Sequence, residues 1–457
     1  MVMKVFPRNL EGYLREWSAR SARKPLVIRG ARQTGKTTSV LKFAEHYPQY
    51  IHLNLDRYED RRIFNKERAL HGIVDELFFL RGLQKERKTL IFIDEIQRSG
   101  RAVNLLRYLH EDYPEYHIVA AGSLLEQTVD VKSAFPVGRV TYAYMHPVSF
   151  EEFLLALGET QAAEAYQQVP VPEYAHEKLL ELFHRYTLVG GMPEAVRTYA
   201  ESGDLLSVRQ VYHDLITSYA DDLEKYPLSE SRRAVVRHVF STMLLHPMQR
   251  LTFNGYGGSN YSSIQVKEAF EMLEKAMLCT VEYPLTSTGL PLQRIKRKKP
   301  RLHILDTGLC AYAMGVQDEL ISIHDLTDAR KGLFAEHIVG QELHSLSYTE
   351  LIGYLYWVRE KSQSSAEVDY LVLVDGRIIP VEVKSGAVGR LRSLMQFLDM
   401  SDERCGVRLY SGAHSIDSIT TMNKKPFLLL NIPYYHVAKV SEYVRTLCPS
   451  ADNSTVR

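Results

Sequence analysis

The sequence predicts an α/β protein: a helix-covered parallel sheet, then a helical segment, a helix–helix–hairpin segment and a second α/β segment. Up to about residue 150, short runs that are apolar throughout alternate with amphipathic stretches. From 151 to 225 the pattern turns helical. Near the C-terminus an Asp-Gly pair joins two β-rich runs.

The apolar runs lie at 26–28, 50–56, 89–93, 117–121 and 140–144. A strand apolar on both faces must be covered on both, and helical crossovers between such runs make the strands parallel. The helical stretch that follows is broken at Gly190-Gly191-Met192-Pro193, a sequence a helix interior does not hold. Segment 226–317 contains helices, including an amphipathic one at 265–276, then strands at 278–283 and 302–305. Helix, helix, hairpin is the order of a winged helix. The last segment, from 318, reads as a helix at 334–346 and strands at 354–358, 368–374 and 378–383. A helix at 391–398, a strand at 407–410 and a frayed end from 449 complete it. The implied domains are 1–155, 156–225, 226–317 and 318–457.

A chain of 457 residues is too long for one ordinary core. Its net charge of +1 excludes recognition of nucleic acid or membrane by overall charge and leaves only local patches. Four cysteines without paired spacing argue against a disulfide framework or a zinc site. No run approaches the ~18 apolar residues of a membrane span. The first ten residues lack the apolar core of a secretory leader. Together these features predict a cytoplasmic protein with no membrane partner.

Residues 30–37, Gly-Ala-Arg-Gln-Thr-Gly-Lys-Thr, match G-x-x-x-x-G-K-[ST] between a strand and a helix. Gly30 and Gly35 let backbone N–H groups curl around phosphates at a helix N-terminus. Lys36 then reaches the β- and γ-phosphates, Thr37 binds Mg²⁺, and Thr38 follows as a further binding candidate. The implied ligands are ATP and Mg²⁺. The second motif, Leu90-Ile-Phe-Ile-Asp94-Glu95, ends a strand with two carboxylates. Asp94 is placed to hold Mg²⁺, and Glu95 to polarise an attacking water; an acidic helix cap is the alternative. Ser123 ends the next strand, either touching the γ-phosphate or water, or capping a helix. Arg139 precedes the fifth strand and is either a surface arginine or one that reaches a neighbouring subunit's γ-phosphate. The second reading requires a homo-oligomer.

This order of motifs resembles the AAA+ ATPases. Gly191-Met192-Pro193 resembles the GxP lid motif of their signal-transduction branch, which implies that Pro193 packs near the nucleotide. Arg185 and Arg197 are candidates for the lid arginine of that family.

Residues 294–301 carry six positive side chains in eight. They read either as a solvated hairpin tip or as a wing gripping a phosphate backbone, largely without regard to sequence. Farther on, Asp375-Gly376 is a two-residue hairpin signal. Counting outward from it, Asp369 faces Glu382 and Glu367 faces Lys384, all on one face. Two carboxylates roughly 5 Å apart repel, and a divalent cation, Mg²⁺ or Mn²⁺, would relieve this. Lys384 would then stabilise charge on an attacked phosphate. Glu336 is either a third metal ligand or a solvated helix residue. Pro380 lacks a donor and predicts an edge or a bulge.

Glu336, Asp369, Glu382 and Lys384, in that order, resemble the PD-(D/E)xK nuclease superfamily. The whole chain resembles prokaryotic ATP-binding proteins with an N-terminal AAA+ module and a C-terminal domain of unknown function. The matching stretches are 147–153, 190–194, 305–309, 334–336, 367–369 and 381–384. The resemblance implies ATP hydrolysis and a nuclease-like fold. Two functions stay open: an ATPase that binds nucleic acid and gates a metal-dependent nuclease-like domain, or an ATP-controlled switch whose nuclease-like domain binds a partner and cuts nothing.

Overall fold

A computed structural model describes residues 6–65, 68–122, 138–225, 228–315, 329–349, 354–359, 366–384 and 391–449. Ser123, the boundary at 318 and the frayed end from 450 on lie outside the described residues. The chain divides into two compact units. The first comprises 1–147 with 275–278 and 347–351; the second comprises 148–274, 279–346 and 352–457.

The first unit is built on five parallel strands: β1 (Leu26–Arg29), β2 (Gln49–Asn54), β3 (Thr89–Asp94), β4 (His117–Gly122) and β5 (Thr141–Tyr144). Their order is β2-β3-β4-β1-β5. Strand alternation divides the apolar runs between two cores. Val27, Ile51, Leu53, Ile91, Ile93, Ile118 and Ala120 meet helices Tyr58–Asn65, Leu70–Arg81 and Gly100–Asp112 on one face. Leu26, Ile28, Leu90, Phe92 and Val119 meet Leu14 and Trp17 of helix Leu10–Ala19 and Val40 and Phe43 of helix Lys36–Ala44 on the other. Burial on both faces is why β1, β3 and β4 read as unbroken apolar runs.

The second unit opens with five helices, Phe150–Leu157, Thr160–Tyr166, His176–Val189, Pro193–Ser202 and Leu205–Glu224. The first is fixed by a reciprocal capping box between Ser149 and Glu152. Helices Glu230–Met243 and Ser263–Lys275 follow, then strands β6 (Cys279–Glu282) and β7 (Arg301–Ile304), paired antiparallel. The helix–helix–hairpin order is as read, but β7 starts at Arg301 and absorbs the end of the basic run.

A six-stranded sheet ends the unit: β8 (Leu355–Val358), β9 (Glu367–Val374), β10 (Arg377–Val383), β11 (Cys405–Tyr410), β12 (Ser415–Thr420) and β13 (Pro426–Pro433), ordered β12-β13-β11-β10-β9-β8. Asp375 and Gly376 both have positive φ, +49° and +80°, as a type I′ turn requires. The register runs from Val374–Arg377 to Tyr370–Val381 without slipping. No bulge interrupts it at Pro380, which pairs with Leu371. Counting from the turn, Pro380 falls on a non-hydrogen-bonded pair, so its missing N–H points away from β9. On that side the parallel ladder to β11 begins only at Val381.

Candidate functional site

In the first unit, the loop between β1 and helix Lys36–Ala44 turns through two left-handed residues, Gln33 (φ +63°) and Gly35 (φ +95°). A Cβ on Gly30 would lie 2.7 Å from the Met145 carbonyl oxygen, so that position demands glycine. Arg8 braces the loop, donating to the carbonyls of Thr34 (2.9 Å) and His146 (2.8 Å).

Lys36 is buried, and its Nζ donates to the carbonyls of Gly30 (3.0 Å) and Ala31 (2.7 Å) at the loop's own start. Burial lowers its pKa to about 8, against the pull of Glu95 and Asp94. The ammonium therefore lacks an anionic hydrogen-bond partner of the kind a phosphate provides. Thr37 Oγ1 donates to Asp94 Oδ2 at 2.8 Å, joining the two motifs at the carboxyl ends of β1 and β3. A hydroxyl and a carboxylate so placed fit Mg²⁺ carried in with a nucleotide. Thr38 is exposed on the same helix.

Glu95 adopts φ +52°, rare for a residue with a Cβ, and its Oε2 accepts from Gln97 Nε2. Burial raises its pKa above the ordinary carboxylate value. Its own N–H donates to Asp94 Oδ1 at 3.0 Å. His52 Nε2 lies 3.8 Å from Asp94 Oδ2. Sequence reasoning missed Arg8, His52 and Gln97. Gln97 was findable as a polar neighbour of Asp94-Glu95; Arg8 reaches the loop only through the fold.

Arg139 is exposed and pairs with Glu111 at 3.2 Å. It precedes the first residue of β5, and β5 runs parallel to β1 with Thr141 beside Leu26. It therefore sits at the end of the sheet away from the phosphate loop and cannot serve its own chain's site.

In the second unit, Gly190-Gly191 and Asp306 explain one another. Asp306 Oδ2 accepts Gly191 N–H at 2.5 Å, and Oδ1 accepts Tyr212 O–H at 2.9 Å and Leu309 N–H at 3.2 Å. A Cβ on Gly190 would fall 2.2 Å from Tyr212 Oη. Pro193 starts the next helix, where its fixed φ and missing N–H cost nothing. Arg185 and Arg197 pair with glutamates of their own helices, Glu181 and Glu194. Glu342 was also missed: its Oε1 accepts Phe150 N–H (3.0 Å) and Tyr186 O–H (2.8 Å).

The structure brings Glu336, Asp369, Glu382 and Lys384 close enough to shift one another. Burial first, then Asp369, pushes Glu336 and Glu382 up to about 8; Asp369 is raised by burial too. Lys384 Nζ donates to Glu382 Oε1 at 2.6 Å, which pulls Glu382 down without offsetting burial. Asp369 does not meet Glu382 in the ladder, which ends one pair earlier; its Oδ2 accepts Val383 N–H at 2.9 Å instead. Glu367 is held by Arg250 and Arg301, not by Lys384. Arg301 is only 4 % exposed, lies over the Tyr356 ring and approaches Asp369 Oδ1 to 3.9 Å. The metal set expected of Glu336, Asp369 and Glu382 is not assembled here. Among the described residues no group of three or more His, Cys, Asp or Glu is arranged to hold a metal ion.

The basic run is divided. Arg301 serves the carboxylates, and Arg294 pairs with the buried Glu282. Lys296, Arg297 and Lys299 are exposed and Lys298 half-buried around a turn. Among the described residues no helix is long and apolar enough to cross a membrane.

Residues 22–154 match the family described as an AAA domain. Residues 180–320 and 331–427 match two families, each described as a domain of unknown function, DUF8612 and DUF4143. No curated protein matches the chain. Among solved structures, the Walker-type ATPase PABY2304 of Pyrococcus abyssi is similar at 15 % identity over 68 % of this chain and 96 % of its own, with a TM-score of 0.45. The Aeropyrum pernix ORC1 protein, solved in complex with DNA, is similar at 15 % identity over 70 % of this chain and 94 % of its own, with a TM-score of 0.31. A tetratricopeptide-sensor STAND protein of Pyrococcus horikoshii is similar at 14 % identity over 75 % of this chain and 48 % of its own, with a TM-score of 0.29. Residues 22–154 of this chain are an AAA-family ATPase domain.

Proposed function

We propose that this protein hydrolyses ATP in its first unit and uses the cycle to control a second unit that binds nucleic acid through its nuclease-like segment. The observation that carries the ATPase part is the Thr37–Asp94 hydrogen bond of 2.8 Å, which joins the phosphate loop to the acidic strand end. Thr37 and Asp94 would hold Mg²⁺, which would offset the charge of the nucleotide phosphates. Lys36 exchanges the Gly30 and Ala31 carbonyls for phosphate oxygens. Glu95, held by Gln97, accepts the proton of the attacking water. Arg139 acts only on a neighbouring copy of the chain, so its role requires a homo-oligomer.

For the second unit, the support is a buried group of mutually perturbed carboxylates with Lys384 beside it, and a basic turn at 296–299. One observation favours the rival reading, in which the segment binds a partner and cuts nothing. Arg301 already supplies positive charge to Glu367 and Asp369 from within the protein. The discriminating experiment compares wild type with Asp369→Asn for Mg²⁺- or Mn²⁺-dependent cleavage of DNA and RNA, with and without ATP. Cleavage lost in Asp369→Asn supports a nuclease; no cleavage by either protein leaves the switch.

A further inference from the structure

One face of the six-stranded sheet changes chemistry between two adjacent levels. At one level Leu371, Pro380, Gly406 and Leu429 lie side by side by register, and Leu394 and Phe397 of helix Arg392–Met400 share the core with Leu371 and Leu429. A Cβ on Gly406 would come within 2.8 Å of Leu394 Cδ2, so the helix sits directly on this level. Two residues farther along the strands, the same face carries Glu382, Arg408 and Asn431 in a row. Glu382 is beside Arg408 across β10–β11, and Arg408 beside Asn431 across β11–β13. The row lies toward the carboxyl ends of three mutually parallel strands, where open α/β sheets place their ligand contacts.

Among the described residues, each of the three keeps a buried polar atom without a hydrogen-bond partner: Glu382 Oε2, Arg408 Nε and Asn431 Oδ1. Glu382 is 6 % exposed and Asn431 0 %. Asn431 Nδ2 donates to Ser415 Oγ (3.0 Å) and Asp417 Oδ2 (2.8 Å), and Lys384 donates to Glu382. Among the described residues Arg408 has no ion pair; its guanidinium carbon lies 4.6 Å over the Tyr410 ring. Tyr410 is fixed in turn, donating to the Ala413 carbonyl.

Three neighbouring unpaired groups are not what folding alone selects, since a buried polar atom without a partner is destabilising. A bound strand of nucleic acid would supply a partner to Arg408, the half-buried donor of the three. Its phosphate oxygens match the planar donor fork of a guanidinium.

We propose that Arg408 is a phosphate-binding residue of the second unit, which takes a backbone phosphate of a nucleic-acid strand lying along the ends of β10, β11 and β13. Tyr410 holds its side chain flat. This assignment rests on the nucleic-acid reading above and adds a residue outside the carboxylate–lysine group.

The test is fluorescence anisotropy of the full chain with a short labelled single strand and its duplex, without ATP or metal, over a range of salt. Wild type, Arg408→Gln and Arg408→Lys are compared, with circular dichroism and a denaturant melt of the second unit as the measure of folding. Arg408→Gln should weaken binding about 10-fold and reduce the log–log salt slope by roughly 0.7–0.9. Arg408→Lys should restore the slope but only part of the affinity, because an ammonium lacks the fork. If Arg408→Gln binds with wild-type affinity and slope, the assignment fails while the nucleic-acid reading stands. If wild type binds neither strand nor duplex, both fall.

Discussion

The two charged sites of this protein are built in opposite ways. In the first unit, Lys36 is a buried cation resting only on neutral carbonyls, with burial lowering its pKa to about 8. In the second, buried carboxylates are met by cations of the same unit, Arg301 on Glu367 and Lys384 on Glu382. The first site is preorganised for an external anion. The second is already largely neutralised from within. A site whose cation makes no hydrogen bond to an anion among the described residues should respond strongly to ligand, and a site with internal ion pairs should respond to mutation first through stability.

The largest effect is expected at the first site. Lys36→Ala removes the charge aimed at the phosphates and should weaken ATP binding by on the order of 10²-fold or more. Isothermal titration checks this, and unchanged affinity would remove the phosphate-loop assignment. Next comes Arg301→Met, which leaves Glu367 and Asp369 without their buried partner. Breaking such a pair costs about 3–5 kcal/mol, so denaturant melts of the second unit should shift accordingly, with ATP affinity unchanged. A shift below about 1 kcal/mol would mean the pair is solvated and the contrast between sites is wrong.

The pH dependence is smaller and sharper. Glu336 and Glu382 have folded pKa values raised from 4.5 to about 8, so between those values the folded state holds more protons than the unfolded state. Stability is then fullest below the unfolded pKa and is lost as pH rises through the folded one. Melting temperature should fall between about pH 5 and pH 8, and Glu336→Gln should flatten that fall. A melting temperature that rises over the same interval would contradict the burial of these carboxylates. The smallest effect belongs to the turn at 296–299. Replacing Lys296, Arg297, Lys298 and Lys299 should flatten the salt dependence of nucleic-acid binding without changing stability. An unchanged slope would return the run to a solvated tip.

The same contrast governs what the sequence made legible. The phosphate loop and Asp94-Glu95 are contiguous motifs on strand ends, and apolar runs separated by helices announce the parallel sheet. The β9–β10 register was legible because Asp375-Gly376 sets it locally. What failed to show was set by distant chain. Arg301 reads as one more charge in a basic run, yet it belongs to the carboxylates, 66 residues from Glu367. The expected Glu367–Lys384 facing pair gave way to Arg250 and Arg301, and Asp369 turned to the Val383 N–H. Gly190-Gly191 reads as a helix break, and its close partners, Tyr212 and Asp306, are set by the fold. Strand β12 escaped notice because Ser-Ile-Asp-Ser-Ile-Thr is an exposed edge with no buried face to impose a pattern. β13, apolar but for Asn431 and bounded by prolines, carries no alternation either.

The central claim is that the first unit hydrolyses ATP through Glu95. Single-turnover hydrolysis of ATP by wild type and Glu95→Gln, at saturating Mg²⁺, tests it most directly. The account predicts that Glu95→Gln binds ATP as wild type does but hydrolyses it about 10²–10⁴-fold more slowly. Equal single-turnover rates, with ATP bound equally, would contradict it.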